Sequence, residues 1–450
     1  MMTTLGSGTL ALVILLTAGI GSVARGQEVA GGDSLRVSLA RALEIGRQQN
    51  PAIRQAGYQR SAAGAGLWDA YGNLLPQVTL QGQAQRTESG SFAFFGSEFQ
   101  SPETYSTVYQ WNFTHSLLDA GRDLFRIRSA RAEADEAIAA YDLEWWETRA
   151  EIGRQYLTAR RQDALARQAE REVERLTEHL RLAEARYQVG AVTKSDVLQA
   201  QLSLNQGEVA VLEARQAAGE ALLALRRLLG GDLPDGPVAL TSEFEVFEPP
   251  FEADHLVAQA LRSHPGLRQI DAQEMADAAG LWIARSAYLP GVQFQYSLSR
   301  SVVDTSGFNF SDFDDRNFYA LSLSWELFDG FTRHNQISRA NAALQSSRAE
   351  RERRELAMEE AVRAAHSRLL TAFRAHQANL ISVELAEEDL RLGEARYRTG
   401  AGSFVDLLDA QVRAARAETD RIASTYDFYL ALVQLEQGTG LDLFPERIGS

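Results

Sequence analysis

The chain has 450 residues, 45% of them hydrophobic, and a formal net charge of -15 at pH 7. This length allows two or three domains and a large core, whereas the negative charge argues against a nucleic-acid partner held through its phosphates. The sequence has no cysteine, which excludes disulfides, thiolate metal sites and a cysteine nucleophile.

The N terminus predicts a cleavable secretory signal. An apolar run from Leu10 to Ile20 is too short for a transmembrane helix, which needs about 20 residues. Ala24 and Gly26 then place small residues at the two positions that a signal peptidase reads. We therefore assign residues 1–26 to a signal peptide. Its n-region lacks Lys and Arg, and the alternative is a disordered apolar tail.

Two stretches rich in Ala, Leu, Arg, Glu and Gln, Arg122–Gln188 and Thr332–Arg398, each predict one helix of more than 60 residues. At about 1.5 Å per residue, each helix would be about 100 Å long. Each ends in a glycine turn, at Val189–Lys194 and Thr399–Ser403, and a second helix follows. Helices of this length indicate coiled-coil-like packing.

Four short segments alternate apolar and polar residues, which predicts strands. Their polar positions are rich in Gln, Ser and Asn, and Trp111, Tyr288 and Trp325 lie in or beside them. Because each run is near the ~10 residues that cross a bilayer obliquely, these features favour a transmembrane barrel over an ordinary half-buried sheet. The predicted strands are at about 76–86, 105–117, 289–303 and 317–328.

The chain is a duplication. Leu180–Gln201 and Leu390–Gln411 are identical at 13 of 22 positions without a gap. Each half has the order helix, β-hairpin, long helix, turn, helix. The predicted organisation is a first repeat at 27–230 with its helical hairpin at about 120–230, a linker or equatorial segment at 231–254, and a second repeat at 255–450 with its helical hairpin at about 331–438 and a C-terminal tail.

Four strands cannot close a barrel, since the smallest common bacterial barrels use eight. Open strand edges in lipid would leave backbone donors and acceptors unsatisfied. A cyclic trimer supplying twelve strands is the simplest closed arrangement. The predicted fold class is therefore mainly α with transmembrane β, in which a trimer forms a 12-stranded β-barrel continuous with a long periplasmic α-helical barrel.

The order of elements resembles the TolC-like outer membrane efflux protein family (the outer membrane factors) over essentially the whole mature length. The resemblance is carried by A-R-Y-x-x-G at Ala395–Gly400, by D-L-L-D-A-Q at Asp406–Gln411 and by the strand end at Phe328–Gly330. It implies a homotrimer in the outer membrane that extends into the periplasm as the exit duct of a tripartite efflux or type I secretion system. The implied partners are outer membrane lipid, a periplasmic adaptor (membrane fusion) protein and an inner-membrane pump of the RND, ABC or MFS type.

Asp406 and Asp409 are three residues apart and lie on one helix face. In a trimer they would form two stacked rings of three carboxylates, a negative constriction with pKa values raised by mutual repulsion. The alternative from the residues alone is a solvated acidic turn. The resemblance implies that these positions are the double aspartate ring of a periplasmic gate.

The resemblance also implies a latch, in which the hydroxyl of Tyr397 bonds to Asp196 and holds the tip shut. Gly402 stands where the best-known family member has an arginine that completes this lock. The lock is therefore expected to be weaker or built differently here, with Arg398 and Lys194 as nearby candidates.

The two turns are the expected adaptor-docking surface. The alternative is that these residues recur because of helix-end packing, with glycine terminating each helix. The candidate docking residues are Arg186, Tyr187, Gly190, Arg396, Tyr397 and Gly400.

No catalytic motif is present in the sequence. The seven histidines show no H-E-x-x-H spacing, and Lys194, the only lysine, follows Thr193, so no P-loop is formed. We therefore expect no enzyme, no cofactor and no metal site. The main alternative function is a soluble periplasmic coiled-coil adaptor or scaffold without a membrane barrel, and a second is an enzyme that uses clustered carboxylates.

Overall fold

The structure is a computed structural model, and it describes residues 35–88, 91–95, 97–100, 103–230 and 238–444. The signal peptide expected at residues 1–26 lies outside the described residues, as do the first part of the expected linker and the end of the C-terminal tail.

The two halves contain the same four kinds of helix. The long helices, α3 and α7, have 67 and 68 residues, which corresponds to about 100 Å each. No helix in the described ranges combines the length and apolarity needed to cross a membrane. The helices are α1 (Leu39–Gln49), α2 (Pro51–Gly72), α3 (Arg122–Gln188), α4 (Lys194–Leu229), α5 (Ala253–Ser263), α6 (Pro265–Ser286), α7 (Thr332–Thr399) and α8 (Phe404–Thr439).

The main sheet has four antiparallel strands in the order β2-β5-β7-β8, so the hairpin of each half meets the other half at β5 and β7. The outer edges of β2 and β8 have no partner strand within the described part of the chain. The strands are β1 (Leu35–Val37), β2 (Gln77–Thr87), β3 (Ser91–Phe94), β4 (Ser97–Gln100), β5 (Thr104–Asp119), β6 (Val238–Leu240), β7 (Gly291–Asp304) and β8 (Asp314–Ser324).

Strand β8 differs from the expected 317–328, because it begins at Asp314 and ends at Ser324. Beyond Ser324 the indole N–H of Trp325 donates to the carbonyl of Tyr288, 3.1 Å away, so this side chain bonds to the segment that enters β7. The loop between β2 and β5 also contains a small hairpin, β3 and β4, that the sequence pattern did not predict.

The largest core lies where the short helices meet the middle of the long helices. Tyr156 of α3 is fully buried there. Its hydroxyl donates to the carbonyl of Val37 at 2.9 Å and accepts from the N–H of Ser242 at 3.2 Å. Strands β1 and β6 pair in parallel at the same level. The described part of the expected linker is therefore packed against this core.

A smaller core lies at the tips of the two helical hairpins, about half a helix length away. It is built largely from alanine and leucine, which allow the helices to approach closely, with one tyrosine and one phenylalanine. Its buried members are Ala183, Ala200, Leu390, Tyr397, Phe404, Leu407, Ala410 and Ala414.

Candidate functional site

The second helix of each hairpin begins with the same capping box. In α4, the N–H of Asp196 donates to the Thr193 hydroxyl at 3.3 Å, and the Asp196 carboxylate accepts from the Thr193 N–H at 2.9 Å. In α8, Ser403 and Asp406 make the equivalent bonds at 3.2 and 3.1 Å. The capping box satisfies backbone donors that a helix start leaves unpaired. The recurrence of Asp196 and Asp406 therefore has a structural reason.

The charge on Asp406 is stabilised within the single chain. Hydrogen bonds from the side chain and backbone N–H of Ser403, with Arg396 nearby, hold the pKa of Asp406 below its usual range. The increase in pKa expected for Asp406 and Asp409 depends on repulsion between the carboxylates of three chains. In the single chain the pKa of Asp406 is lowered instead. Asp406 and Asp409 are both exposed in the first turns of α8.

Both glycine turns require a left-handed backbone. Gly190 has φ +72° and Gly400 has φ +82°, values that residues with a Cβ rarely adopt. The N–H of Ala191 donates to the carbonyl of Arg186, and Ala401 donates in the same way to Arg396. These bonds close the ends of α3 and α7, so Gly190 and Gly400 recur at least in part as helix terminators.

Arg186 and Tyr397, predicted separately, are in direct contact across the two hairpins. The guanidinium carbon of Arg186 lies 4.6 Å from the centroid of the Tyr397 ring, which is cation–π geometry. Arg186 also donates a hydrogen bond to the carbonyl of Tyr397. On another side of the ring, Phe404 packs edge-on at 5.6 Å. This contact ties the tip of the first hairpin to the tip of the second.

The expected hydrogen bond between Tyr397 and Asp196 is not formed in this chain. Among the described residues the Tyr397 hydroxyl has no hydrogen-bond partner, and the Asp196 carboxylate is bonded to Thr193. Burial raises the pKa of the Tyr397 hydroxyl, while the charge of Arg186 opposes this increase and that of Asp196 adds to it. In the single chain the Tyr397 side chain instead contacts Arg186.

Gly402, the position of the expected arginine, is tightly packed. A Cβ at Gly402 would lie 3.1 Å from the Cβ of Arg396, closer than almost all side-chain contacts. With a larger residue at this position, Arg396 would have to shift by a few tenths of an ångström. The absence of an arginine at Gly402 therefore fits the local packing of this turn.

A buried polar network beneath the tip was missed by the sequence analysis. Nδ1 of His179 in α3 lies 2.9 Å from Oε1 of Gln411 in α8, and Gln411 Nε2 donates to Glu172 at 2.6 Å. The other ring nitrogen of His179 lies 3.5 Å from Glu394 of α7. No sequence signal marks His179, because its partners, Gln411 and Glu394, are more than 200 residues away.

The repeated arginine–tyrosine pairs differ in their environment. Tyr397 is buried, whereas Tyr187 and Arg396 are exposed and Arg186 is half-buried. The expected docking residues are therefore not equivalent in the single chain. Tyr187 and Arg396 present their side chains to the surroundings, and Tyr397 lies inside the joint between the hairpins.

A family model described as "Outer membrane efflux protein" matches residues 43–231 and 256–441, which is most of the chain. The chain belongs to the outer membrane efflux protein family. The family predicted from the motifs is confirmed. This outer membrane efflux protein is located in the outer membrane, extends into the periplasm and is an efflux or secretion channel.

Several relatives of this outer membrane efflux protein are similar over half or more of their length. Protein CyaE of Bordetella pertussis is 31% identical over 388 residues, covering 83% of this chain and 78% of the relative. Outer membrane protein TolC of Vibrio cholerae is 21% identical over 412 residues, covering 90% of each chain. The pyoverdine export outer membrane protein OpmQ of Pseudomonas aeruginosa is 28% identical over 279 residues, covering 58% of this chain and 53% of OpmQ.

Solved structures show the same fold. The Campylobacter jejuni CmeC outer membrane channel superposes with a TM-score of 0.78 at 16% identity, covering 89% of this chain and 85% of CmeC. A membrane protein from Pseudomonas aeruginosa superposes with a TM-score of 0.76 at 21% identity, covering 89% of this chain and 93% of that protein. The mainly helical architecture with its four-stranded sheet is thus the fold of outer membrane channels.

Proposed function

We propose that the chain is the outer membrane exit duct of a tripartite efflux or type I secretion system, gated at its periplasmic tip. In this role it passes substrates from an inner-membrane pump of the RND, ABC or MFS type, through a periplasmic adaptor, to the outside. It acts as a conduit and not as an enzyme. The observation that carries the proposal is the pair of helical hairpins, which run from one open-edged sheet to tips with acidic turns.

The duct is proposed to be a homotrimer with a 12-stranded β-barrel continuous with an α-helical barrel. The unpartnered edges of β2 and β8 support this arrangement, because strand edges in lipid must pair. Val78 and Leu80 flank Thr79 in β2, and Leu321 and Leu323 flank Ser322 in β8. All four of these apolar side chains are exposed. An exposed apolar side chain at every second position is the pattern of a strand that faces lipid.

The gate is proposed to be formed by Asp406 and Asp409, whose exposed carboxylates lie one turn apart at the start of α8. Three copies would give two stacked rings with six negative charges in all, which attract cations and repel anions. Within each chain, the capping bonds from Ser403 favour the ionised form of Asp406 and hold its pKa below the usual range.

The latch is proposed to work through Arg186 and Tyr397, with Asp196 holding the facing turn in shape by its capping box. Adaptor docking is proposed at the exposed glycine turns themselves, at Gly190 and Gly400. The buried ring of Tyr397 is available to a partner only after the contact with Arg186 opens.

Single-channel conductance tests the gate. The double variant Asp406→Asn/Asp409→Gln removes the charges, and Gln is the residue that the first repeat has at the matching position, Gln199. We expect cation selectivity and block by divalent cations to fall. Asp196→Asn is the matched control, because it weakens the same kind of capping box without removing a ring carboxylate. Unchanged selectivity in the double variant, or an equal loss in the control, would contradict the gate.

Membrane fractionation tests the duct itself. We expect the chain in outer membranes as a trimer that dissociates only on heating in detergent. Recovery in the soluble periplasmic fraction as a monomer would instead support the alternative of a soluble adaptor or scaffold.

A further inference from the structure

The second helices of the two hairpins are matched residue by residue. Helix α8 begins at Phe404 and ends at Thr439, and α4 begins at Lys194 and ends at Leu229, so each α8 residue follows its α4 counterpart by 210 positions. The long helices match in the same way, since α7 begins 210 residues after α3. Counterparts in the two repeats can therefore be compared directly.

Matched apolar residues differ sharply in exposure. Ile422 and Val433 of α8 are 5% and 2% exposed, whereas their counterparts in α4, Leu212 and Leu223, are 66% and 64% exposed. The space around Val433 is filled by α3, because a Cβ on Gly153 would lie 3.3 Å from Val433. Helix α8 is therefore covered by α3 of its own chain, and α4 has the same kind of face without a cover.

Matched residues at the tips of the two hairpins show the same difference in exposure. Tyr397 is 2% exposed beneath Arg186, and its counterpart Tyr187 is 46% exposed. The counterpart of Arg186 is Arg396, which is also exposed. One chain thus contains the two members of a second arginine–tyrosine contact.

Helices α4 and α7 carry exposed apolar residues with the same spacing. On each helix the second exposed residue follows the first by four positions, and the third follows the second by seven. This is the spacing of a coiled-coil seam. Helix α7 is the counterpart of α3, the helix that covers α8. The exposed residues are Leu198, Leu202 and Val209 on α4, and Ile381, Leu385 and Leu392 on α7.

We propose that α7 of one subunit packs on α4 of the next copy of the chain, and that Arg396 stacks on Tyr187 of that neighbouring copy. The proposal rests on the proposed trimeric duct and assigns the residues of its subunit contact at the tip. Within one chain, α3 packs on α8 and Arg186 stacks on Tyr397. The proposed contact repeats this arrangement between two chains. Such a head-to-tail contact closes into a ring, here with six stacked pairs that alternate between intrachain and interchain.

Cysteine crosslinking tests the pairing, because the natural chain has no cysteine to interfere. The double variant Tyr187→Cys/Arg396→Cys is treated in outer membranes with a short bis-maleimide and run on a denaturing gel. We expect covalent dimers and trimers. The matched control, Arg186→Cys/Tyr397→Cys, should react within each chain and stay at monomer mass.

The ring face of Tyr187 is tested separately, without crosslinking. A cation–π contact needs the aromatic ring and not the hydroxyl. We expect Tyr187→Phe to leave the dissociation temperature of the trimer unchanged and Tyr187→Leu to lower it. Equal effects of Phe and Leu would overturn the stacking, whether or not the crosslinking variants assemble.

The outcomes separate this proposal from the proposed function. If the protein is a trimer in outer membranes and the double variant stays monomeric while the control reacts, the pairing is wrong and the duct stands. If no trimer is found in outer membranes, the proposed duct fails, and the subunit contact fails with it.

Discussion

Nδ1 of His179 lies 2.9 Å from Oε1 of Gln411 and joins the first long helix to the helix that carries the acidic turn. The amide of Gln411 has a defined orientation, because its nitrogen donates to the Glu172 carboxylate at 2.6 Å. Its oxygen therefore faces the ring, and Nδ1 of His179 is the donor. This bond fixes the start of α8 to the first hairpin at a level just above the tip.

We expect His179→Ala to destabilise the joint between the hairpins by about 1–3 kcal/mol, because the buried amide of Gln411 loses its partner. The measurement is thermal unfolding in detergent. His255→Ala is the matched control, because His255 is exposed on α5. A His179 variant as stable as the control would show that the network does not hold the hairpins together.

Because the ring of His264 is buried, we expect the folded protein to lose stability at acid pH. Its Nδ1 accepts from the N–H of Gly266 at 3.0 Å, and its Nε2 lies 3.2 Å from the carbonyl of Gln437, so the neutral ring satisfies both. Burial lowers the pKa of His264. The unfolded chain therefore binds the proton more readily, and stability is lost as the pH falls through the ordinary histidine range, about 6.5, towards the lowered value.

The first repeat provides the control for this prediction. At the matching position Asn50 makes the same two bonds, accepting from the N–H of Ala52 and donating to the carbonyl of Leu228, at 2.8 and 2.7 Å. We expect His264→Asn to retain its stability on acidification from about pH 7 to pH 5, where wild type declines. Stability is measured by thermal unfolding. If wild type and His264→Asn lose stability equally on acidification, His264 is not the cause of the loss.

For the buried side chain of Glu436 we expect the opposite pH dependence, in which the folded protein loses stability as the pH rises. It is buried beside Arg149, and Oε1 accepts from the N–H of Leu443 at 2.7 Å. Burial raises the pKa of Glu436 to about 8. The folded chain therefore holds a proton that the unfolded chain releases near pH 4.3, and stability falls by several kcal/mol as the pH rises from about 4.3 to 8.

Glu436→Gln should remove this fall, because glutamine keeps an oxygen acceptor for Leu443 and carries no charge. Arg149 keeps its partner Asp442 at 2.7 Å in the variant. Unfolding by denaturant at pH 5 and pH 8 measures the difference. A Gln variant with the same pH dependence as wild type would show that another group titrates.

Gly402→Arg introduces the arginine that the best-known family member has at this turn. Since a Cβ at Gly402 would lie 3.1 Å from the Cβ of Arg396, we expect overpacking that costs about 1–3 kcal/mol. Thermal unfolding gives the change in stability. Gly64→Arg in α2 is the control, since no atom lies within 4 Å of its Cβ position. A Gly402 variant more stable than wild type would show that the turn adapts and completes a lock.

The long helices and the strands follow from composition and from alternation, which act locally along the chain. The environments of Tyr187 and Tyr397 could not be predicted from local sequence. Both residues follow the same E-A-R sequence, and they differ only in what packs on them. The hydrogen bond expected between Tyr397 and Asp196 is not formed in the single chain for a similar reason, since the Asp196 carboxylate is bonded within the local capping box. The partners of His179 are set by tertiary packing alone.

In the proposed trimer, the edges of β2 and β8, which have no partner strand within the described part of the chain, have a consequence for a newly made subunit. Before it meets its neighbours, each copy exposes two rows of backbone donors and acceptors that any extended chain is able to pair with. The stage between export across the inner membrane and assembly is therefore the one most prone to aggregation. Fast assembly of the proposed trimer, or a chaperone that shields these edges, would protect the yield of finished channels.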